Sequence, residues 1–591
     1  MIAEEWKIEM SSKYERYQQH LDLPEYTWAW NIYGAGLENF GRDAQPEKLP
    51  APQQPDPDQL LVRIDSVGMC FSDVKIVKQG RDHPKLYNRD LENDPSRLGH
   101  EVALTVVLVG DNLKDRYYPG QRLAVQPDIY QNGMSTAYGY TIPGGLIQYH
   151  LIGPEILETD EGECLLPVGD QMGYTESALL EPWGCVIAAY TQRRRLSPKQ
   201  GGTMWIIGQP GDDRSYQFSK FLDAPGRFVV TDVPPSLSVL IEQTGKEVIE
   251  KNGLANSEIA SLSKDLTTGR GFDDIVVLSP LSADRVGEIA KVIARRGILN
   301  MVGNKPLDGL VQVDVGRLHY DYIAFVGTDG SEISMAYGEG RNRCELREGG
   351  TAVFIGAGGP MGQMHVQRAI EMPGGPSKII ATEVGAERLD VLRQSYAPLA
   401  EKHGVTFHLH NPTQAENSIY DLVMEVTGGV GADDVVVCVP SANLMEEAVT
   451  LMKRDGMLVL FAGVPKLTYA AADLSIVYLH NAQYTGTSGL TIQDQAQVMD
   501  RAMEGSLSPE RVVAAVGGIE AAREAMKAVM EGSYPGKVMI FPQIHDLPLM
   551  GLDQLKGKYP EIGEKLGQGD IWTLEAEIAL IEKFWEPEKK V

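Results

Sequence analysis

The chain has 591 residues, 43% of them hydrophobic and 23% charged, the balance of a folded protein with apolar material for about three or four separate domains rather than of a disordered chain. Against 54 Lys and Arg stand 81 Asp and Glu, a formal net charge of -27. A surface of that sign repels polyanions, so nucleic acid and anionic membrane are not expected as partners. The five cysteines, Cys70, Cys164, Cys185, Cys344 and Cys438, are scattered without a CxxC pair, which argues against a disulfide scaffold and a four-cysteine zinc module.

The first residues, MIAEEWKIEMSSKYERYQQH, show no basic region followed by an apolar core, and no segment offers about 18 consecutive apolar residues, so a cytoplasmic location is expected. Residues 1–200 read mostly as strands and turns. DQLLVRIDSVGMC, GHEVALTVVLVG and GQRLAVQPDIY are short β-rich runs broken by Gly, Pro and Asp, as in a compact antiparallel or barrel-like domain. LPAPQQPDPDQ at 49–59 is too rich in proline for a helix and reads as an exposed connection. Helical character returns in ESALLEPWGCVIAAY, and the basic triplet Arg193, Arg194, Arg195 that follows reads as a solvated helix end.

From about residue 202 the pattern changes to nearly continuous apolar runs, TMWIIG, GRFVVTDV, FDDIVVLSP, GILNMVG and YIAFVG, separated by helix-compatible stretches. Such runs suit a parallel sheet covered on both faces. The alternation then repeats in TAVFIGAGG, SKIIATEV, ADDVVVCVP, GMLVLFAG and QYTGTSG. Gly271–Val277 matches Gly431–Val437, with Pro280 falling on Pro440, and Gly327–Gly330 recurs as Gly486–Gly489. Two related nucleotide-binding-type domains are therefore expected.

Only the second copy opens with a phosphate loop. After Val353-Phe354-Ile355 come Gly356-Ala357-Gly358-Gly359-Pro360-Met361-Gly362 and a helix-compatible QMHVQRAIEM. Glycines there permit a tight turn and close backbone approach, and the helix N-terminus receives a pyrophosphate. The next strand ends at Glu383, where a carboxylate accepts from ribose hydroxyls and repels an added 2′-phosphate. NAD is thus favoured over NADP, with Lys378 or Arg388 as the residues that would compensate. The first copy reads Gly208-Gln209-Pro210-Gly211-Asp212-Asp213. Two carboxylates oppose a pyrophosphate and Pro210 removes a backbone donor, so a structural or interface role is expected, with Asp232 at the remaining plausible ribose position.

The combination of Gly68-Met69-Cys70-Phe71-Ser72-Asp73, Gly99-His100-Glu101, Gly144-Gly145 with Gln148-Tyr149, Glu181-Pro182 and the Gly356–Gly362 loop resembles the zinc-containing medium-chain dehydrogenase/reductase family. Its polyol-dehydrogenase and sorbose-phosphate-reductase-like branch is the nearest. The resemblance covers about residues 25–200 and 350–540. It implies an α/β fold with a β-rich GroES-like catalytic domain and a Rossmann domain; the tandem of two Rossmann-like parallel-sheet domains is read from the internal repeat and departs from the family's ordinary one. It further implies Cys70, His100 and Glu181 as ligands of one catalytic zinc, Glu101 as an intermittent ligand or a residue linked through water, and Ser72 as a hydroxyl relay for the substrate proton. Where some relatives carry a relay histidine this chain has Lys75, and residues 121–150 contain no cysteine, so the family's structural zinc lobe is not expected.

The expected order is a first catalytic segment at 1–200, a degenerate Rossmann-like domain at 201–345, the nicotinamide-binding Rossmann domain at 346–500, a return to the catalytic domain at 501–540, and an extension at 541–591. In that extension TLEAEIALIEKFWE makes an amphipathic docking helix. The implied activity is hydride transfer between NAD(H) and a secondary alcohol or ketone of a polyol or sugar-like substrate, in a homodimer or homotetramer. Two alternatives stand beside it: an NADP-dependent reductase of a phosphorylated ketose, and a non-catalytic nucleotide-binding redox sensor or assembly scaffold.

Overall fold

The computed structural model describes residues 12–191 and 193–587, which form two compact units. No helix among the described residues is long and apolar enough to cross a membrane. The first unit runs to Ile187 and is completed by Gly359–Met364 and by the chain from Gly489 onward. Its mixed sheet is ordered Leu165–Val168, Arg122–Val125, Glu101–Val109, Leu60–Met69, Lys537–Phe541, Val513–Gly518, Met550–Gly551, with Tyr149–Ile152 also paired to Leu60–Met69. Every residue of Leu60–Met69 is buried, because strands pair on either side of it and side chains cover both faces.

Polar residues on that strand are therefore paired within the protein. Arg63 Nε bonds Asp65 at 2.7 Å, Tyr17 donates to the same carboxylate at 2.6 Å, and Thr105 donates to its other oxygen at 2.6 Å. Arg63 also donates to the carbonyls of Tyr17 and His20, tying the helix Lys13–Gln18 to the sheet. The return strand Lys537–Phe541 aligns Val538 with Met69 and Met539 with Gly68. A segment hundreds of residues distant in sequence thus becomes a neighbour of Cys70.

The C-terminal extension folds into the helix Leu574–Phe584. Its buried Glu577 accepts from the backbone N–H groups of Tyr174 at 2.6 Å and Thr175 at 2.7 Å. Those donors open the helix Tyr174–Ala188, and a carboxylate there satisfies orphan amides and complements the helix dipole. Burial pushes the Glu577 carboxyl up, while the two N–H groups hold it back.

The second unit, Ala188–Gly358 with His365–Ser488, contains both copies of the duplicated fold. In copy one the strands are β1 Thr203–Ile207, β2 Arg227–Thr231, β3 Glu247–Glu250, β4 Phe272–Leu278, β5 Ile293–Val302, β6 Val311–Asp314 and β7 Ala324–Thr328. In copy two they are β8 Thr351–Ile355, β9 Lys378–Thr382, β10 Thr406–His410, β11 Ala432–Val437, β12 Met452–Leu460, β13 Tyr469–Ala472 and β14 Gln483–Gly486. The all-parallel sheets are ordered β3-β2-β1-β4-β5-β7 and β10-β9-β8-β11-β12-β14, the same order twice. Each reverses direction of growth beside its first strand, as a dinucleotide-binding sheet does.

The copies differ after their first strand. Copy two follows β8 with the helix α1 Pro360–Glu371, whereas copy one crosses from β1 to β2 through residues 208–226 without a helix. Tyr216 and Phe218 of that crossing pack on Met204, Ile206, Phe228 and Val230, covering the sheet face with side chains of a loop. Asp212 accepts from Arg214 N at 3.0 Å and from Tyr216 Oη at 2.7 Å, and Tyr216 Oη lies 2.8 Å from Ser279 Oγ. The mouth of β1 is filled by this network and offers no helix N-terminus to a phosphate.

The Glu577 cap gives a direct expectation. Glu577→Ala should destabilise the protein to urea by about 1–3 kcal/mol, because two buried amides lose their acceptor. Glu577→Gln, with one carbonyl oxygen in place of two carboxylate oxygens, should fall between Glu577→Ala and the unaltered chain. Equal urea midpoints for all three would show that the extension does not brace this helix.

Candidate active site

In the first unit, strand Leu60–Met69 delivers Cys70 to the N-cap of the helix Phe71–Gln79. Its Sγ accepts from Ser72 N at 3.5 Å, and Asp73 Oδ2 accepts from Cys70 N at 3.0 Å. The other Asp73 oxygen faces Gly99 N at 3.3 Å and His100 Nδ1 at 3.2 Å. Asp73 is fully buried and therefore clamps the two loops together. By engaging Nδ1 it leaves His100 Nε2 as the ring atom open to a ligand, the arrangement that orients a metal-binding imidazole. Burial alone would lower the His100 pKa, but Asp73, Tyr140 and Cys70 together raise it well above its ordinary value.

Glu101 begins the strand Glu101–Val109 directly opposite Gly68. Any Cβ at Gly68 would stand 2.1 Å from Glu101 Oε2, so the glycine in GMCFSD makes room for this carboxylate. Glu101 Oε1 pairs with Lys537 Nζ from the return strand, while Oε2 is buried without a hydrogen-bond partner. Burial works against the Lys537 charge, but Glu101 and Cys70 hold its pKa above the usual lysine range. The donor atoms of Cys70, His100 and Glu101 lie within 4.8 Å of one another. A thiolate, an imidazole and a carboxylate oxygen lacking a partner are a donor set that fits zinc.

Glu181 is outside that compact group. It sits buried on the helix Tyr174–Ala188, with Cys185 Sγ 3.8 Å from its Oε1. Burial pushes its carboxyl up to about 7, with Glu101 adding to the rise and His100 and Lys537 opposing it. Glu181 is thus in electrostatic reach of the cluster. Ser72, half-buried in the first turn after Cys70, contributes its backbone N–H to the thiol sulfur.

A second polar group adjoins the cluster. Lys85 Nζ and Asp128 Oδ1 are 3.0 Å apart, Lys85 lies 5.1 Å from the centroid of the Tyr140 ring, and that ring is 5.6 Å from the rings of both His100 and His83. Burial, then Lys85 and Lys75, lower His83 to about 4, which keeps it neutral near pH 7. Lys85, Asp128, Tyr140 and Lys537 were not singled out in the sequence. Only the fold brings them beside Cys70, and none belongs to a local motif.

The loop after β8 has the shape of a phosphate cradle. Gly356 adopts φ +76°, and a Cβ there would meet Val439 at 2.2 Å; one on Gly358 would meet Glu383 Oε2 at 2.5 Å and Arg388 Cβ at 2.7 Å. Glu383, just past β9, accepts from Gly358 N at 3.1 Å and from Gly385 N at 2.9 Å. Gly359 completes the turn, and Pro360, Met361 and Gly362 form the first turn of α1, where proline costs no helical hydrogen bond. Arg388, on the helix Ala386–Val391, is half-buried beside Gly358.

Comparison with known proteins follows the same division. Residues 56–158 match the alcohol dehydrogenase GroES-like domain and residues 360–504 match the zinc-binding dehydrogenase domain. Neither match includes copy one. The chain is 31% identical over 314 residues to the uncharacterized protein YggP of Escherichia coli K12, covering 49% of this chain and 72% of that protein. It is 23% identical over 539 residues to mannitol-1-phosphate 5-dehydrogenase of Aliivibrio fischeri, covering 89% of this chain and 92% of the relative. With L-sorbose 1-phosphate reductase of Klebsiella pneumoniae it shares 28% identity over 328 residues, covering 51% of this chain and 75% of the relative. A GroES-like segment that contains a Cys-His-Glu donor cluster and resumes after a dinucleotide-type sheet makes the chain a member of the zinc-type medium-chain dehydrogenase/reductase family, with an additional Rossmann-like domain.

Proposed function

We propose that the protein transfers a hydride between NAD(H) and a secondary alcohol or ketone carbon of a polyol or its phosphate, at a single zinc centre held by Cys70, His100 and Glu101 with Glu181 close by. The observation that carries this reading is the buried cluster itself, in which one carboxylate oxygen of Glu101 has no protein partner. Such an atom costs stability unless a cation or donor meets it. Zinc supplies Lewis acidity toward the reacting oxygen when bound. A nicotinamide bound at the Gly356–Gly362 turn would supply the hydride acceptor or donor.

Every other role falls to the chain. Asp73 fixes the His100 ring and the Cys70 turn in register, and Lys537 balances Glu101, so the donors are preorganised. Ser72, two residues beyond Cys70, takes the substrate's hydroxyl proton as the carbon–hydrogen bond breaks, giving ketone, reduced cofactor and a released proton. Lys75 stands where a relay histidine would be, so this chain has no imidazole at that position to carry the proton. Onward transfer therefore falls to water or to the ribose hydroxyls. The Lys85–Asp128 pair, framed by Tyr140, supplies a cation and an anion side by side. Polyhydroxylated substrates present donors and acceptors to match both, and a phosphate would find Lys85.

The cofactor preference rests on Glu383. Its carboxylate closes the Gly356–Gly362 turn at the end of β9, where a ribose-bound phosphate would meet like charge. The names of two relatives point to phosphorylated hexitols or ketoses, and Lys85 is the residue through which this chain would follow them.

Four measurements test the reading. Metal analysis should find one zinc per chain, with Cys70→Ser and His100→Ala losing metal and turnover in a broad polyol and ketose screen while keeping the fold. Normal turnover in both variants would falsify the zinc assignment, and tight NAD binding with no metal and no turnover would favour the scaffold alternative. In the same screen Ser72→Ala should retain zinc but lose about 10²-fold in kcat. Glu383→Gln should raise the NADPH to NADH ratio of kcat/KM about tenfold, equivalent to about 1.4 kcal/mol; an unchanged ratio would remove Glu383 from cofactor selection. Asp128→Asn should raise KM for polyols about tenfold, the cost of a charged hydrogen bond, yet leave a simple secondary alcohol unaffected. An equal effect on both substrate types would sink the recognition role.

A further inference from the structure

The two copies in the second unit do not merely follow one another; they pack reciprocally. Antiparallel pairing sets Val311 of β6 opposite Ala472 of β13 and Asp314 opposite Tyr469. The first residue of each strand thus faces the last of the other. The helix α2 Val315–Tyr320 that follows β6 packs on β14, and the helix α3 Ser475–His480 that follows β13 packs on β7. Close approaches repeat the exchange: a Cβ on Gly327 of β7 would meet Tyr478 at 2.4 Å, and one on Gly486 of β14 would meet the backbone of Leu318 and His319 at 3.2–3.3 Å. Gly327 and Gly486 were matched residues of the duplication. One apolar core runs through both sheets, joining Leu318 and Phe325 to Leu460, Val477 and Tyr484.

Contacts in which element i of one copy meets element j of the other, and j meets i, define an isologous interface, the kind that two identical subunits form about a two-fold axis. Here both halves belong to one chain. Copy one has no phosphate-binding helix, and the mouth of its first strand is filled by Asp212, Tyr216 and Ser279. What its sequence retains is the face turned to copy two: Tyr478 Oη donates to Lys305 O at 2.6 Å, Leu307 N to Ser475 Oγ at 3.0 Å, and Lys466 pairs with Asp321 at 2.6 Å.

We propose that copy one is a built-in partner subunit: it occupies the edge of the nicotinamide-type sheet that a second copy of the chain would otherwise use, so the working unit is one chain with one zinc centre. Covalent linkage keeps the partner at high effective concentration, and edge strands β7 and β14 cover each other rather than standing open to association. The homodimer or homotetramer expected from the sequence is then unnecessary. This inference goes beyond the proposed chemistry, and its test reads no turnover from a particular substrate.

Sedimentation velocity of the full chain from micromolar to nanomolar concentration should show one species near 64.8 kDa. The variant with Gln312→Cys and Ala471→Cys, two positions opposed in the β6–β13 register, should form on mild oxidation a link that leaves the chain running as a single chain on a non-reducing gel, at every concentration tried. A mass of two chains, or links between chains, overturns the proposal. So does a single-chain mass without the internal link, since the face would then not be closed.

Discussion

A carboxylate buried against a cysteine sulfur is tolerable only where positive charge is close, and in this protein Lys537 from the return strand brings that charge to Glu101. Lys537 takes one oxygen; the other has no protein partner. Isolated, either ion would cost several kcal/mol to bury. Paired, they offset each other's burial, and the second Glu101 oxygen stays without a protein partner close to the Cys70 sulfur and the His100 ring, a donor set suited to a divalent metal. Gly68 makes the arrangement sterically possible, and the strand Lys537–Phe541 makes it topologically possible. The return of the chain to the first sheet is therefore a requirement of the site and more than a way to finish the fold.

The same logic extends outward from the cluster. Asp73 joins the Cys70 turn to the His100 loop, so the donors move as one body. The helix carrying Glu181 is held at its N-terminus by Glu577, and Arg122 reaches the carbonyl of Met172 just before it. Residues at the far end of the chain thereby fix the start of a helix whose third turn faces the site. A docking helix of this kind contributes through two backbone amides and not through area alone.

What could be read in the sequence was local. Cys70-x-Ser72-Asp73 and Gly99-His100-Glu101 each place a donor at a turn next to a strand, and Gly356–Gly362 places a glycine turn between a strand and a helix. Such features need only a few consecutive residues. Lys537, Asp128, Lys85 and Glu577 acquire their partners through strand register or helix docking across long stretches of chain, so no spacing announces them. Copy one shows the limit from the other side: Pro210, Asp212 and Asp213 declared it hostile to a pyrophosphate, but that the whole helix after β1 is replaced by a loop packed through Tyr216 and Phe218 could be seen only in three dimensions. The family resemblance named Cys70, His100 and Glu181 with Glu101 as an intermittent or water-linked residue; strand register carries Glu101 onto Gly68 and so brings its carboxylate within 4.8 Å of the Cys70 and His100 donor atoms.

Whole-chain charge and local charge also part company. A net charge of -27 acts on an approaching anion over distances that salt screens within about 8 Å. Around Cys70 the nearby groups include Lys537, Lys85 and Lys75, and two of these are already committed to Glu101 and Asp128. On the proposed reading a neutral polyol would gain from such a neighbourhood through its hydroxyls, which bridge ion pairs without breaking their charge balance. A phosphorylated substrate would instead have to compete with Asp128 for Lys85. Its charge would then be discriminated at that one contact, by whether Asp128 can yield its partner, and not by the overall field of the protein.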